Sequence, residues 1–321
     1  MTMRKLWLCI WVGLLGSACL REEIPVAPLE RGEATTAQVS LQPDYRDQVW
    51  YDLGSQTIVS VNARTAWDLG LGCADSLPWL WLNSSCAMQA TLTGTTDFEA
   101  VTGDAGLSYR PDHPSGLRDS LPLTAALDGQ VVVIDRGYNA AGRLRGKVKF
   151  QLLSTDEDGY RFRYAQLNGS DEHRVEVTKD ARFNFLGFSF TTHAPVEIEP
   201  PKDAYDLCFT TYTHLFYAPY MPYLVTGVWL NPHRTLAAQD SSLAFEAIDR
   251  EWAATLPLSA TRDLIGYDWK SYDIEAGGFT VYPERVYVLR DSEGFYYKLH
   301  FLDFYDENGQ KGAPTFALQR L

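Results

Sequence analysis

The sequence is poor in positive charge and has no basic cluster beyond its first residues. Its 321 residues include 28 Lys and Arg against 41 Asp and Glu, which gives a formal net charge of −13 at pH 7. Proteins bind nucleic acid and anionic lipid surfaces through concentrated Lys and Arg side chains. Because no such cluster follows Lys5, the sequence predicts no nucleic-acid partner and no membrane binding through basic side chains.

Common catalytic and zinc-binding motifs are also missing. The sequence contains no G-x-S-x-G, no H-E-x-x-H and no P-loop, and no cysteine belongs to a C-x-x-C pair. The neighbouring carboxylates Asp156 and Asp158 fall among turn residues, where solvated charge is the ordinary explanation. The sequence therefore predicts a binding protein and not an enzyme.

Cysteine is scarce, and Cys73, Cys86 and Cys208 are the three that lie beyond residue 19. An exported protein can oxidise two such thiols. Cys73 and Cys86 would close a short loop and are the favoured disulfide. Cys208 stays open as an alternative partner, because sequence cannot show which Cβ atoms meet.

The N-terminal residues have the pattern of an export signal. Arg4 and Lys5 precede an apolar run over residues 6–15, and three small residues then lead to Cys19. This run is too short to span a hydrocarbon core of about 30 Å. We therefore expect residues 1–18 to be a lipoprotein signal peptide. Lipidated Cys19 would anchor the mature protein to a membrane.

One departure from the usual lipoprotein signal leaves a second outcome open. A lipobox usually has leucine three residues before its cysteine, whereas Leu15 stands four residues before Cys19. Two or three acyl chains would anchor the protein stably, since each buried methylene contributes about 0.8 kcal/mol. Simple secretion into the periplasm is the alternative.

The rest of the chain divides into a tether and a β-rich domain. Residues 19–47 are short of aromatic side chains and carry prolines and charges, so they predict a flexible tether. From residue 48 to residue 321, period-two alternation recurs between clusters of turn residues. The clearest runs are 57–61, 79–82, 131–134, 147–152, 160–164, 285–289, 296–301 and 315–318. Turn residues at 156–159 predict a hairpin between 147–152 and 160–164, and Asn308-Gly309 predicts a turn before 315–318. They predict a mainly β, antiparallel, sandwich-like fold with one or two short helices, of which the better candidate covers 242–254.

Three groups of residues, taken together and in order, resemble the HmuY-like family. They are Trp67-Asp68-Leu69 with Leu82-Asn83, then the segment 222–227, and finally the segment 265–270 leading into 297–301. The resemblance spans roughly residues 49–321. It implies a mostly β lipoprotein of the Gram-negative outer membrane that faces the periplasm or the cell surface. The best known members capture haem for a TonB-dependent receptor, so the resemblance implies haem as the ligand and such a receptor as a partner. The segment 103–201 is longer than in the small haemophores and is interpreted as an elaboration of the domain.

Haem binding requires an apolar slot and one or two axial ligands. The segment 212–223 best combines an apolar slot with axial ligands, because His214 and Met221 stand there among aromatic side chains. The predicted pocket aromatics are Tyr212, Phe216, Tyr217 and Tyr220. An extended chain from His214 to Met221 spans roughly 23 Å, so its reach allows ligation from opposite faces of a haem. The alternative is a strand that packs these aromatics into a core.

The resemblance also implies where a second iron ligand would lie. In the haem-binding relatives a His or Met follows the tryptophan that corresponds to Trp269, but residues 269–285 of this chain contain neither. Tyr272 and Tyr282 are the conventional alternatives there, and a phenolate suits ferric iron. The usual ligand pair is therefore not retained, which leaves haem, another tetrapyrrole or no tetrapyrrole as outcomes.

A different class of function is adhesion or glycan binding at the cell surface. Trp79 and Trp81 alternate onto one strand face, and Trp50 and Tyr51 are further aromatics for the same surface. Together they are a candidate platform for stacking on sugar rings. The alternative is that these residues belong to buried strands.

Overall fold

Alternating apolar residues form twenty strands within residues 32–73 and 79–321, the parts of the chain that this computed structural model describes. In chain order they are β1 (Thr35–Gln38), β2 (Asp47–Asp52), β3 (Thr57–Ala63), β4 (Leu69–Gly72), β5 (Leu80–Leu82), β6 (Gln89–Leu92), β7 (Val131–Asp135), β8 (Lys147–Thr155), β9 (Gly159–Ala165), β10 (His173–Thr178), β11 (Phe185–Ser189), β12 (Ala194–Val196), β13 (Leu207–Tyr217), β14 (Tyr220–Leu230), β15 (Leu236–Asp240), β16 (Lys270–Asp273), β17 (Gly278–Val281), β18 (Val286–Arg290), β19 (Tyr296–Tyr305) and β20 (Lys311–Arg320). One α-helix, α1 (Arg250–Thr255), and short 3-10 turns at Ser84–Cys86, Arg118–Ser120, Pro122–Asp128 and Phe245–Ala247 complete the described elements. Among the described residues, strands account for 45% and helical turns for 7%, which confirms the predicted mainly β class.

The strands form four larger antiparallel sheets and one small hairpin. Sheet A has the order β1-β20-β19-β18-β15, sheet B β14-β13-β2-β3, sheet C β12-β11-β4-β5 and sheet D β10-β9-β8-β7-β6, while β16 pairs with β17. The predicted turns at 156–159 and 308–309 lie between β8 and β9 and between β19 and β20. Local turn chemistry and alternation therefore located both hairpins correctly.

Two sandwich cores hold these sheets together. Sheets A and B enclose the first core, where the ring centroid of Phe316 lies 5.4 Å from that of Phe209 and 5.3 Å from that of Tyr51. Sheets C and D enclose the second, where Phe162 meets Phe188 at 5.0 Å. Each large side chain buried in this way contributes about 1.5–3 kcal/mol. Residues 103–201 supply β7 to β12 and hence much of the second sandwich, while their interpretation as an elaboration stays a prediction.

The predicted tether ends well before residue 47. Strand β1 pairs with β20, from Thr35 opposite Leu318 onward, and Val39 and Leu41 are each 1% exposed. The prediction of a tether was wrong for this stretch because two alternating apolar residues suffice to extend a sheet edge that the rest of the chain has already formed. Residues 19–31 and the predicted signal peptide, with Cys19, lie outside the described residues.

The predicted disulfide is not formed. Cys73, Cys86 and Cys208 are all buried free thiols. The Sγ atom of Cys73, just after β4, lies 3.5 Å from the carbonyl oxygen of Leu71, whereas Cys86 Sγ lies 3.7 Å from that of Arg64. Each thiol therefore contacts a carbonyl of its own surroundings instead of the other sulfur, and closeness in sequence was a poor guide.

The helix predicted over 242–254 is shorter than expected. The hydroxyl of Ser242 donates to Asp240 Oδ1 at 2.6 Å, and α1 begins only at Arg250. Its N-cap is Asp249, whose carboxylate accepts a hydrogen bond from the Trp252 backbone N–H at 2.8 Å. Among the described residues, no helix has the length and apolar character needed to cross a membrane.

Candidate functional site

A cleft lies along the outer edge of sheet B. Strand β14 is the outermost strand of this sheet, and the cleft separates it from the segment 267–282, which carries β16 and β17. Its volume is about 790 Å³. Sites for cofactors and other small molecules occupy about 300–1,000 Å³, so the cleft is large enough for a sizeable ligand.

Most of the cleft wall is aromatic or aliphatic. The β13–β14 hairpin and the facing segment contribute Phe216, Met221, Tyr223, Leu224, Val225, Tyr267, Tyr272, Ile274, Phe279 and Tyr282. The hairpin register explains part of this set, because it places Met221 directly opposite Phe216 and Tyr223 opposite His214. Residues paired in this way project from the same face of the sheet. Such walls suit a flat, apolar ligand.

The cleft is cationic although the protein as a whole is acidic. Lys270, Arg285 and Lys311 line it, against the single carboxylate of Asp268. Arg285 Nη1 lies 2.5 Å from Asp268 Oδ2, so these two charges offset each other. The two lysines are left to attract an anionic group of a ligand.

Lys270 lies at the floor of the cleft and is only 5% exposed. Its Nζ donates a hydrogen bond to the carbonyl oxygen of Thr226 at 2.7 Å and lies 4.1 Å from the ring centroid of Trp269. Burial lowers the pKa of Lys270 to about 7, an effect that the charge of Asp268 only partly opposes. Within the described residues no carboxylate forms an ion pair with this amine. An anionic ligand in the cleft would provide one.

The predicted iron ligands are separated by the fold. Met221 is 45% exposed on the cleft wall. His214 is not part of the lining, and its ring centroid lies 4.9 Å from that of Phe216 and 4.6 Å from that of Tyr267. Its Nδ1 is buried without a hydrogen-bond partner, and burial lowers the pKa of this imidazole. His214 is thus one side chain removed from the cleft.

Of the predicted pocket aromatics, the structure places only Phe216 on the cleft wall. Tyr212 is 1% exposed and packs against Trp229 at 5.5 Å between ring centroids. Tyr217 and Tyr220 are paired across the hairpin tip, and both are more than half exposed. Side chains alternate along a strand, so this pair projects from the face opposite to Phe216.

Sequence reasoning missed the cationic side of the cleft. Lys270, Arg285 and Lys311 come from separate segments, and no motif joins them. The one available signal was that Lys270 directly follows Trp269 in a segment that resembles the family. By contrast, Tyr272 and Tyr282, the alternatives considered for the second iron ligand, both line the cleft.

The predicted platform for sugar rings is wrong. Trp50, Tyr51 and Trp81 are 4%, 2% and 4% exposed, so they offer no flat surface to a glycan. Trp50 packs in a cluster with Trp67, and Trp81 packs against Trp79 with 4.5 Å between ring centroids and 44° between ring planes. Alternation correctly put Trp79 and Trp81 on one face, but Trp81 is buried there and Trp79 is only partly exposed.

Comparison with known proteins identifies the family of this chain. The family model described as HmuY protein matches residues 44–318. Similar solved structures include apo PinO from Porphyromonas gingivitis, with 9% identity and a TM-score of 0.30 over 90% of this chain and 97% of that one. Another is the apo HmuY analogue TFO from Tannerella forsythia, with 10% identity and a TM-score of 0.24 over 91% of this chain and 98% of that one.

A third similar structure is a protein from Bacteroides vulgatus described as HmuY-like and haem-binding, with 12% identity and a TM-score of 0.25 over 89% of this chain and 90% of that one. Comparison with curated proteins gave no match. These TM-scores are too low to carry the cleft geometry over from the solved structures. The sequence match, however, covers most of the chain, and the protein belongs to the HmuY family.

Proposed function

We propose that this protein binds haem, or a closely related tetrapyrrole, in the cleft beside β14. The observation that carries the proposal is a cleft with aromatic walls whose floor holds the buried amine of Lys270, which donates to the carbonyl oxygen of Thr226 but forms no ion pair within the described residues. Haem is a flat apolar ring with two carboxylates, and it needs both an apolar slot and cationic partners. Membership of the HmuY family supports the same class of ligand.

The proposal includes a role in uptake at the bacterial envelope. The export signal at residues 1–19 supports an outer-membrane lipoprotein anchored through Cys19. The family resemblance supports transfer of the captured haem to a TonB-dependent receptor. The protein would then capture its ligand without transforming it.

In this proposal the aromatic residues and the lysines of the cleft bind different parts of the ligand. Phe216, Tyr223 and Phe279 would flank the ring, and Lys270 with Lys311 would bind its carboxylates. Haem supplies an iron that accepts one or two axial ligands. The thioether of Met221 is the first ligand that we propose, and the phenol oxygens of Tyr272 and Tyr282 are the candidates for the second.

Replacing Met221 with alanine tests this assignment. Hemin added to the wild-type protein is expected to show a shifted and sharpened Soret band. M221A is expected to change the position of that band and weaken hemin binding by about tenfold or more, because an iron ligand is lost. The measurement is a hemin titration followed by visible absorbance. His214→Ala is the matched control and should keep the wild-type spectrum, since its ring lies outside the cleft lining.

The outcomes of that titration are distinct. A wild-type protein that leaves the Soret band of free hemin unchanged would remove haem as the ligand. A band lost in H214A but kept in M221A would instead assign the iron to His214, as the sequence alone predicted.

Hemin affinity should also depend on pH. A ligand carboxylate pairs with protonated Lys270, and the pKa of about 7 means that the free protein loses this proton as the pH rises through neutrality. Above that point binding must recover the proton, so affinity should fall by up to about tenfold per pH unit. Titrations between about pH 6 and pH 8 measure this slope. A slope that is identical in wild type and in a variant without the Lys270 amine would contradict the pairing.

A further inference from the structure

A second group of potential ligands lies outside the cleft. Asp171, His173 and His193 each bring one metal-ligating atom to within 4.8 Å of the other two. His173 is the first residue of β10, the outermost strand of sheet D, and Asp171 lies just before it. His193 lies between β11 and β12 of sheet C. We propose that these three side chains bind a divalent transition-metal ion of the Zn²⁺ class.

The distances within the group are close to those of a metal site. His173 Nε2 lies 2.9 Å from Asp171 Oδ1. Zinc is bound by imidazole nitrogen and carboxylate oxygen at about 2.0–2.2 Å, which places tetrahedral donor atoms about 3.3 Å from each other. Small side-chain movements therefore bring all three donors to the required spacing.

The imidazole rings of His173 and His193 are stacked on each other. Their ring centroids are 3.9 Å apart and their planes differ by 14°. A nitrogen lone pair lies in the plane of its ring, so one ring must rotate for both to reach the same ion. His193 is exposed and belongs to a turn, so its ring can tilt about the hydrogen bond that joins its Nδ1 to the hydroxyl of Tyr164.

Tyr164 supplies an outer contact of the kind that metal-binding histidines have. Its hydroxyl lies 2.7 Å from His193 Nδ1, and its ring is stacked on that of His173 with 5.1 Å between centroids. Histidine ligands usually donate their second ring N–H to a neighbouring oxygen, which orients the ring. With Nδ1 held by Tyr164, Nε2 of His193 remains for the ion. Tyr164 is 2% exposed in β9, so this support is rigid.

The backbone at two of the three residues is left-handed. Asp171 and His193 have φ of 58° and 56°, and they are two of seven non-glycine residues with positive φ in the described chain. Aspartate and histidine are among the non-glycine residues that adopt this conformation most often. Both turns therefore accept the residue types that the site needs.

The donor set defines the class of ion. Two imidazoles with one carboxylate favour Zn²⁺, Ni²⁺ or Cu²⁺ over Mg²⁺ and Ca²⁺, which prefer oxygen ligands. Three protein ligands leave one position of a tetrahedral ion open. The side chain of Asp171 is 55% exposed, so the ion would exchange with solvent.

The test is calorimetric titration of the mature protein, without an affinity tag, with ZnCl₂. His193→Asn is the most informative variant, because asparagine tolerates a positive φ and removes only the imidazole. We expect one Zn²⁺ per chain in the wild type and binding weaker by about tenfold or more in H193N and in His173→Gln. His233→Asn is the matched control: His233 Nε2 lies 3.0 Å from Asp203 Oδ1, but this pair belongs to no group of three ligands in the described parts of the chain.

Three results would overturn the site. They are absence of Zn²⁺ binding by the wild type, unchanged affinity in H193N, and an equal loss of affinity in H233N. Circular dichroism of each variant checks the fold. If H173Q loses the circular dichroism spectrum of a β protein, the Zn²⁺ affinity of H193N alone tests the site.

Discussion

Replacing Asp68 with asparagine is expected to lower the free energy of unfolding by about 3–5 kcal/mol. The Asp68 side chain is fully buried, and Oδ1 lies 3.0 Å from both Arg136 Nε and Arg145 Nη2. Its Oδ2 accepts a hydrogen bond from the backbone N–H of Phe190 at 2.8 Å. Asparagine keeps the size of the side chain but removes its charge, which leaves two nearly buried guanidinium groups without their counterion. Denaturation by urea, followed by circular dichroism, measures the loss.

An exposed ion pair of similar length provides the control for Asp68. Asp180 Oδ2 lies 2.6 Å from Arg182 Nη2 at the surface. Because water solvates both partners, Asp180→Asn should leave the free energy of unfolding nearly unchanged. Equal losses in D68N and D180N would show that burial is not the cause. The expected difference would make the Trp67-Asp68-Leu69 segment a structural feature that joins sheets C and D, and not a contact to ligand.

Replacing Lys270 with methionine is expected to weaken hemin binding while stabilising the fold. Methionine removes the amine that would pair with a ligand carboxylate, and a charge-assisted hydrogen bond of about 1.5–3 kcal/mol corresponds to a loss of about tenfold or more in affinity. Methionine keeps a flexible apolar chain against Trp269 and Phe304. Hemin titration at a pH below 7 measures the first effect.

The stabilising effect follows from the lowered pKa of Lys270. The unfolded chain holds this proton up to a pKa near 10.5, whereas the folded protein releases it at about 7. The amine therefore destabilises the fold most below pH 7, and the penalty declines as the pH rises towards 10.5. Removing the amine should raise the free energy of unfolding at pH 6 by about 1–2 kcal/mol. Thermal unfolding at pH 6 and at pH 9 compares the two conditions.

Lys149 is the matched control for Lys270. It is 1% exposed, and its Nζ donates to the carbonyl oxygens of Phe98 at 2.9 Å and Val101 at 3.0 Å, away from the cleft lining. Lys149→Met should leave hemin affinity unchanged. If both lysine variants lost affinity equally, the effect would come from general loss of packing. If K270M bound hemin as tightly as the wild type, Lys270 would have no part in binding.

The strands were the part of the fold most accessible from sequence. Alternation over 147–152 and 160–164, with turn residues between them, predicted the β8–β9 hairpin, and Asn308-Gly309 predicted the turn before β20. These signals are local, because each depends on the conformational preferences of a few neighbouring residues. Two predictions failed where distant contacts decide the structure. Residues 35–41 of the predicted tether over 19–47 pair with β20, and Cys73 and Cys86 form no disulfide.

The residues of the candidate site show the same difference between local signals and distant contacts. Phe216 and Met221 were found from one aromatic segment, because the hairpin that holds them is local. The same segment also suggested Tyr212, Tyr217 and Tyr220, whose positions depend on which face of β13 and β14 other sheets cover. His214 was placed beside Met221 in sequence, yet Phe216 and Tyr267 separate its ring from the cleft.

The sequence by itself determined that this chain is a β-rich member of the HmuY family, since strand alternation, turn residues and family segments are properties of short stretches. Only the tertiary structure decided which of its aromatics face a cleft and that, in the part of the chain that the structure describes, Lys270 lies there without a counterion. Burial and charge pairing arise between residues far apart in the chain, so no local pattern records them. The same holds for the grouping of Asp171 and His173 with His193, which exists only because sheets C and D pack together.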